Sequence, residues 1–217
     1  MEKELEVKNL IKKDDRIKIY KILYIGVSAY KRLLGEMHGL SESKSFLEIK
    51  TRLLNFVIKR QFESDVLAID FPFEVEFKSL NSFSNTALFL KNNSIRLKIG
   101  KTFKPGTLHN SNKASKYMLK EATVNSKYEK QIKFLLDESN NISIGEEEYI
   151  FSILGYGIKN EEIDHLDFII PDSNMKGIID HYDALEEYNE MININSDDEN
   201  IESTIVALKD EAKRLIK

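Results

Sequence analysis

The stretch Ala87-Leu-Phe-Leu-Lys-Asn-Asn-Ser-Ile-Arg-Leu-Lys-Ile99 decides the fold class. Ile95, Leu97 and Ile99 alternate with Arg96 and Lys98, the period of two that places successive side chains on opposite faces of a strand. Ala87–Leu90 is a short apolar run, and Asn92-Asn93 between the two runs are residues that tolerate the positive φ of a hairpin turn. Just upstream, Val75 and Phe77 alternate with Glu74, Glu76 and Lys78. The region 66–104 therefore predicts an antiparallel sheet with one wet face.

Helical texture flanks this sheet. Phe46, Ile49, Leu53, Phe56 and Val57 recur at helical spacing, and Ser45 with Glu48 has the form of a capping box, so a helix is expected over about 46–63. Segments 3–12 and 16–38 are also expected to be helical, although Gly26 interrupts the second. After the loop from Lys104 to Asn112, a helix is expected from about 113 to 137. Strands at Tyr149–Leu154 and Leu166–Ile170 follow, joined through Gly155-Tyr-Gly157 and an acidic loop. Pro171 ends the second strand, and Asp172 or Ser173 is placed to cap a helix over about 176–191. The box Ser196/Glu199 precedes a last amphipathic helix with Ile201, Ile205, Leu208, Ala212 and Leu215 on one face.

The fold class expected is α+β, with a helical N-terminal part, an antiparallel or mixed sheet and a docked C-terminal helix. The expected organisation is a single mixed domain over 1–217: helical at 1–63, sheet and basic helix at 64–137, an acidic strand-helix part at 138–192, and the final helix at 200–217.

At 217 residues with 41% hydrophobic and 10% aromatic side chains, the chain is long enough to bury a core. It has no cysteine, which excludes disulfides and thiol chemistry. The opening residues lack the apolar stretch of a secretory signal, and the longest apolar run, Ile22–Val27, is far short of the roughly 20 residues a membrane span needs. A cytoplasmic location and no membrane partner are the expectations.

Charge is distributed unevenly. Residues 91–136 hold 11 Lys/Arg against Glu121 and Glu129, whereas 137–202 hold 19 acids against Lys159 and Lys176. On a helical projection of the basic block, Lys113, Lys116, Lys120, Lys127 and Lys130 fall within an arc of about 100°, next to an apolar arc of Tyr117, Val124, Tyr128, Ile132 and Leu135. Arg96 and Lys98 extend that surface from the hairpin. Lysines so arranged can follow a phosphate backbone, releasing its condensed counterions, or meet an acidic protein. No zinc finger, RNP signature or KH loop is present, so any nucleic-acid binding would be shape-based or nonspecific.

The acidic block offers a different surface. Glu161, Glu162 and Asp164, with the acids of 180–190, can imitate a nucleic-acid backbone toward a basic cleft, as an inhibitor from a phage or mobile element would. A second copy of the chain is a further candidate partner, its acidic block meeting the basic one.

Two segments bear on metal chemistry. Asp-His-x-Asp occurs at 164–167 and again at 180–183. In a strand His165 and Asp167 share a face, but in the helix expected at 176–191 Asp183 falls opposite His181, so the two patterns do not converge on an ion. The run from Asp65 to Lys78 resembles the motif of PD-(D/E)xK nucleases, with Asp70, Glu76 and Lys78 as acid pair and lysine. That likeness covers 14 residues and implies a metal-dependent nuclease. It departs from the family in lacking the Pro beside the leading Asp and in continuing as strand, where a helix is usual. GxGxxG, GxxxxGK[ST] and GxSxG are all absent, and no cofactor is expected. The reading that results is a non-enzymatic binding protein, with nucleic acid or a nucleic-acid-handling protein as partner.

Overall fold

The computed structural model describes residues 7–36, 43–80, 86–108, 115–128, 149–194, 202–203 and 205–207. In chain order the elements are α1 (Val7–Leu10), α2 (Lys13–Glu36), α3 (Lys44–Arg60), β1 (Glu74–Ser79), β2 (Thr86–Lys91), β3 (Ile95–Lys101), α4 (Lys116–Ala122), β4 (Ile150–Lys159), β5 (Glu162–Pro171), β6 (Ile178–Asp183) and α5 (Leu185–Ile194). The six strands form one sheet in sequence order. β1–β2 and β2–β3 are antiparallel, β3–β4 is parallel, and β5–β6 is antiparallel. With helices ahead of a mixed sheet and a helix after it, the chain is α+β. None of the described helices is long and apolar enough to cross a membrane.

The described residues group into two compact units. One comprises Met1–Lys12, Pro72–Gly157 and Asp164–Leu185; the other comprises Lys13–Phe71, Ile158–Ile163 and Glu186–Lys217.

In the sheet-bearing unit, register fixes which side chains share a face. Phe89 lies opposite both Glu76 and Lys98, and Arg96 and Lys98 lie opposite Phe151 and Ile153 of β4. This face is where α4 packs: Met118 and Ala122 join Ala87, Phe89, Phe151, Ile153 and Met175 in a buried cluster. The other face buries Leu88, Leu90, Ile95, Leu97, Ile99, Leu154, Phe168 and Ile170, each contributing roughly 1.5–3 kcal/mol by leaving water. Both faces are covered along the central strands. In β1 the expected wet face is reversed, because Phe77 is 36% exposed while Glu76 and Lys78 are half-buried beside α4. A buried amide ties the strand ends together: Asn125 Nδ2 donates to the carbonyls of Phe151 (2.9 Å) and Pro171 (2.8 Å), and its Oδ1 accepts from Phe151 N (2.9 Å).

In the other unit, Ile19, Tyr20, Leu23, Val27, Tyr30 and Leu34 form the buried stripe of α2. Gly26 does not interrupt the helix but lies at its contact with α3, where a Cβ would stand 3.2 Å from Ile58 Cα. The cap of α3 is Ser43 rather than Ser45, its side chain accepting from Phe46 N at 3.1 Å. The buried residues of α3 are Phe46, Leu54, Val57 and Ile58, whereas Ile49 and Phe56 are half exposed, so the stripe is rotated from the expected one. Arg16 Nε and Nη2 each bond the Glu187 carboxylate at 3.0 Å, with Tyr20 Oη donating to it at 3.1 Å.

Three further expectations are corrected. Asn92-Asn93 does not use positive φ; instead Asn92 Oδ1 accepts from the amides of Ser94 (2.9 Å) and Ile95 (3.0 Å). Gly155-Tyr-Gly157 is not a strand end, because β4 continues to Lys159 and turns into β5 through Asn160 and Glu161, at φ 53° and 63°. The helix expected at 176–191 is strand β6 followed by α5: Asp172 holds a tight turn by accepting from Lys176 N and Gly177 N, and Asp183 accepts from Leu185 N as α5 begins. Of the expected 113–137 helix, the described part is helical from 116 to 128: α4, a 3-10 turn at Thr123–Asn125 and the helical residues 126–128. Of the last helix, residues 202–203 and 205–207 are helical with Ile205 buried; the Ser196/Glu199 box lies outside the described residues.

Candidate functional site

Along β1, β2, β3 and α4, one set of charged residues is paired and another is open. Arg96 Nη2 bonds Glu76 at 3.0 Å, and its Nε lies 2.8 Å from Glu121 in ion-pair contact. Lys91 also pairs with Glu76, and Lys78 Nζ lies 2.6 Å from Glu121. The guanidinium of Arg96 stands over the Phe89 ring, 4.8 Å from its centroid. This network joins β1, β2 and β3 to α4 and leaves Arg96 and Lys78 with structural partners. Burial pushes the Glu76 carboxyl up, but the Lys91 hydrogen bond and the charges of Arg96, Lys91 and Lys78 outweigh it and hold it below its ordinary value.

Lys101, Lys104, Lys116, Lys120 and Lys127 form the open set. All five are exposed, and no carboxylate among the described residues pairs with them. Lys116 and Lys120 are one turn apart on α4. Phe103, between Lys101 and Lys104 in sequence, is 81% exposed. Lys113 and Lys130 lie outside the described residues.

Of the open set, Lys101 lines a cavity of about 230 Å³ walled by residues of α4 and of the sheet. Its floor is buried and apolar, from Met118, Ile153 and Met175, and its exposed rim carries Lys101, Thr107 and Ser115. Lys98 and Tyr117 also line it. Burial, and secondarily Glu121, raises the Tyr117 phenol above its ordinary range despite the Ser115 hydrogen bond, so it remains a neutral hydroxyl at physiological pH. Thr102 is buried in the wall, its Oγ1 2.9 Å from His165 Nε2, and His165 Nδ1 lies 3.2 Å from Asp164 Oδ1.

The two Asp-His-x-Asp patterns meet after all, because the second is on a strand. Asp167 lies opposite Asp183, and Ile169 opposite His181, so Asp167, His181 and Asp183 share a face. His181 Nε2 lies 2.6 Å from Asp167 Oδ1. Among the described residues, no group of three or more His, Asp or Glu side chains is arranged to hold a metal ion.

Glu76 and Lys78 share a strand face as the spacing requires, each engaged as above. Asp70 belongs to the other unit, where it accepts from Lys18 at 2.5 Å. The acidic candidates are also engaged: Glu162 with Lys31 at 2.6 Å, Glu161 with Lys50 at 3.5 Å, and Asp164 with His165. Sequence reasoning passed over Phe103, whose signal was available as an aromatic between two lysines. It took Gly155 and Gly157 for the end of a strand, whereas their spacing of two puts both on one face within β4. The chain matches no family model, no curated protein and no solved structure at a significant level.

Proposed function

We propose that this protein is a non-enzymatic nucleic-acid-binding protein, and that its sheet-bearing unit makes the contact. One observation carries the reading: five exposed lysines without carboxylate partners among the described residues, Lys101, Lys104, Lys116, Lys120 and Lys127, accompany an 81% exposed Phe103. Cations left open in this way gain from phosphate what the paired Arg96 and Lys78 already gain from Glu76 and Glu121. An exposed ring between Lys101 and Lys104 in sequence offers a surface on which an unpaired base stacks, which favours single strands over duplex. The acidic face supports the alternative of a backbone-mimicking inhibitor less well, since Glu161, Glu162 and Asp164 each have a basic or imidazole partner.

The test is a gel shift on single-stranded and duplex DNA and RNA at low and moderate salt, with and without Mg²⁺. Retention that weakens with salt, without cleavage, is expected, and should be lost when Lys116, Lys120 and Lys127 are changed together to Glu. Metal-dependent cleavage, or retention by that triple variant, would count against the reading.

A further inference from the structure

The cavity beside Lys101 has a depth profile that a phosphate alone does not explain. Its floor is apolar and buried, with Met118, Ile153, Ile169 and Met175 contributing; Lys101, Thr107 and Ser115 stand at the exposed rim, Lys98 is half-buried, and the Thr102 hydroxyl is buried in the wall. Bare phosphate would sit among the rim groups and leave the floor unused. An aliphatic chain would fill the floor but make no use of the buried Thr102 hydroxyl, which His165 holds in a fixed direction at 2.9 Å. What matches both is a flat ring with polar edges and an anionic tail. Thioether sulfurs at Met118 and Met175 pack favourably against aromatic rings, and the Thr102 hydroxyl, one of whose bonding directions is taken by His165, still offers another to a polar ring edge. At about 230 Å³ the space is below that of typical drug-sized sites, and suits one base with part of its sugar.

We infer that this cavity receives a single nucleotide unit, its base on the methionine floor within reach of Thr102 and its phosphate at the rim between Lys98 and Lys101. The unit is either a free mononucleotide or one nucleotide turned out of a bound strand. This deepens the proposed function and rests on it only in the second case.

The chain contains five methionines, two of them in the cavity, so methyl-labelled methionine reports occupancy directly in the NMR spectrum of the full chain. Met118→Leu and Met175→Leu assign the two signals. Nucleoside monophosphates should shift both methyls saturably, whereas ribose 5-phosphate, inorganic phosphate and decanoate should not. Lys101→Gln, at an exposed position that cannot unfold the core, should weaken the nucleotide about tenfold through loss of one charge-assisted contact. Equal shifts with inorganic phosphate or decanoate, or none with any nucleotide, would overturn the assignment. An oligonucleotide that binds and moves both methyls places a strand nucleotide inside. One that binds without moving them, when mononucleotides also leave them still, refutes the cavity but not the strand surface. Mononucleotide shifts without oligonucleotide retention would refute the strand surface and keep the cavity.

Discussion

Thr102 and His165 meet across an intervening strand: Oγ1 and Nε2 are 2.9 Å apart although β4 runs between β3 and β5. They can do so because β4 presents no side chain there. A Cβ at Gly155 would stand 2.7 Å from Thr102 Cγ2, and one at Gly157 would overlap the His165 ring. Two glycines in a strand cost conformational entropy, and here that cost is offset by a buried polar contact laid over bare backbone.

Gly157→Ala is therefore expected to destabilise the protein by about 1–3 kcal/mol, the usual penalty for forcing atoms into an occupied core. Gly35→Ala is the opposite case: it lies in α2 with nothing within 4 Å of an added Cβ, and should stabilise by about 0.5–1 kcal/mol. Urea denaturation of both variants checks the pair. A neutral Gly157→Ala would mean that His165 can leave its place without loss.

Arg16 and Glu187 test the second unit. Their side chains are 4% and 6% exposed, so removing either partner leaves a buried charge. Arg16→Met alone should cost about 3–5 kcal/mol, while Arg16→Met with Glu187→Leu should recover most of that loss, because a buried ion pair is worth little more than an apolar replacement. A double-mutant cycle by thermal unfolding measures the coupling.

The acid limb of stability should depend on Glu76. Its folded pKa is held below the ordinary value of 4.5, so its contribution is fully present above that pH and is lost as pH falls through the folded value. Glu76→Gln should lower stability at neutral pH by about 1 kcal/mol and make the decline below the ordinary value of 4.5 shallower than in the parent. Unfolding temperature recorded against pH for the two proteins is the measurement. Parallel curves would show that the carboxylate's charge is immaterial to the network.

How far the sequence discloses this molecule depends on whether a segment's period is unambiguous. The 87–99 hairpin is legible because alternation and a polar turn agree. α3 is legible as a helix although its buried face is not, since Ile49 and Phe56 are as apolar as the Leu54 and Ile58 that replace them inside. Residues 176–191 mislead for two reasons. Asp172 satisfies amides in a tight turn as readily as at a helix start, and Ile178, Ile179 and Tyr182 fit either period over so short a span. That one misreading hides the meeting of His181 with Asp167. The lysine stripe is legible as exposed side chains at Lys116, Lys120 and Lys127, but the capture of Arg96 by Glu76 and Glu121 is not, because partners 20 and 25 residues away are set by strand register and helix packing.

The proposed strand surface separates stacking from charge. Phe103 carries no charge, so Phe103→Ala should weaken single-strand binding by about 1–3 kcal/mol while leaving the dependence of log affinity on log salt unchanged. Lys101→Gln, Lys104→Gln and Lys116→Gln should each reduce that slope by about 0.7, the share of counterions one phosphate contact releases from a single strand. Fluorescence anisotropy between about 50 and 200 mM salt resolves the two effects. If Phe103→Ala were silent while the lysine variants acted, the contact would be to backbone alone, and duplex should then bind as well as single strand. If the lysine variants left the slope unchanged, their open positions would be filled by something other than phosphate.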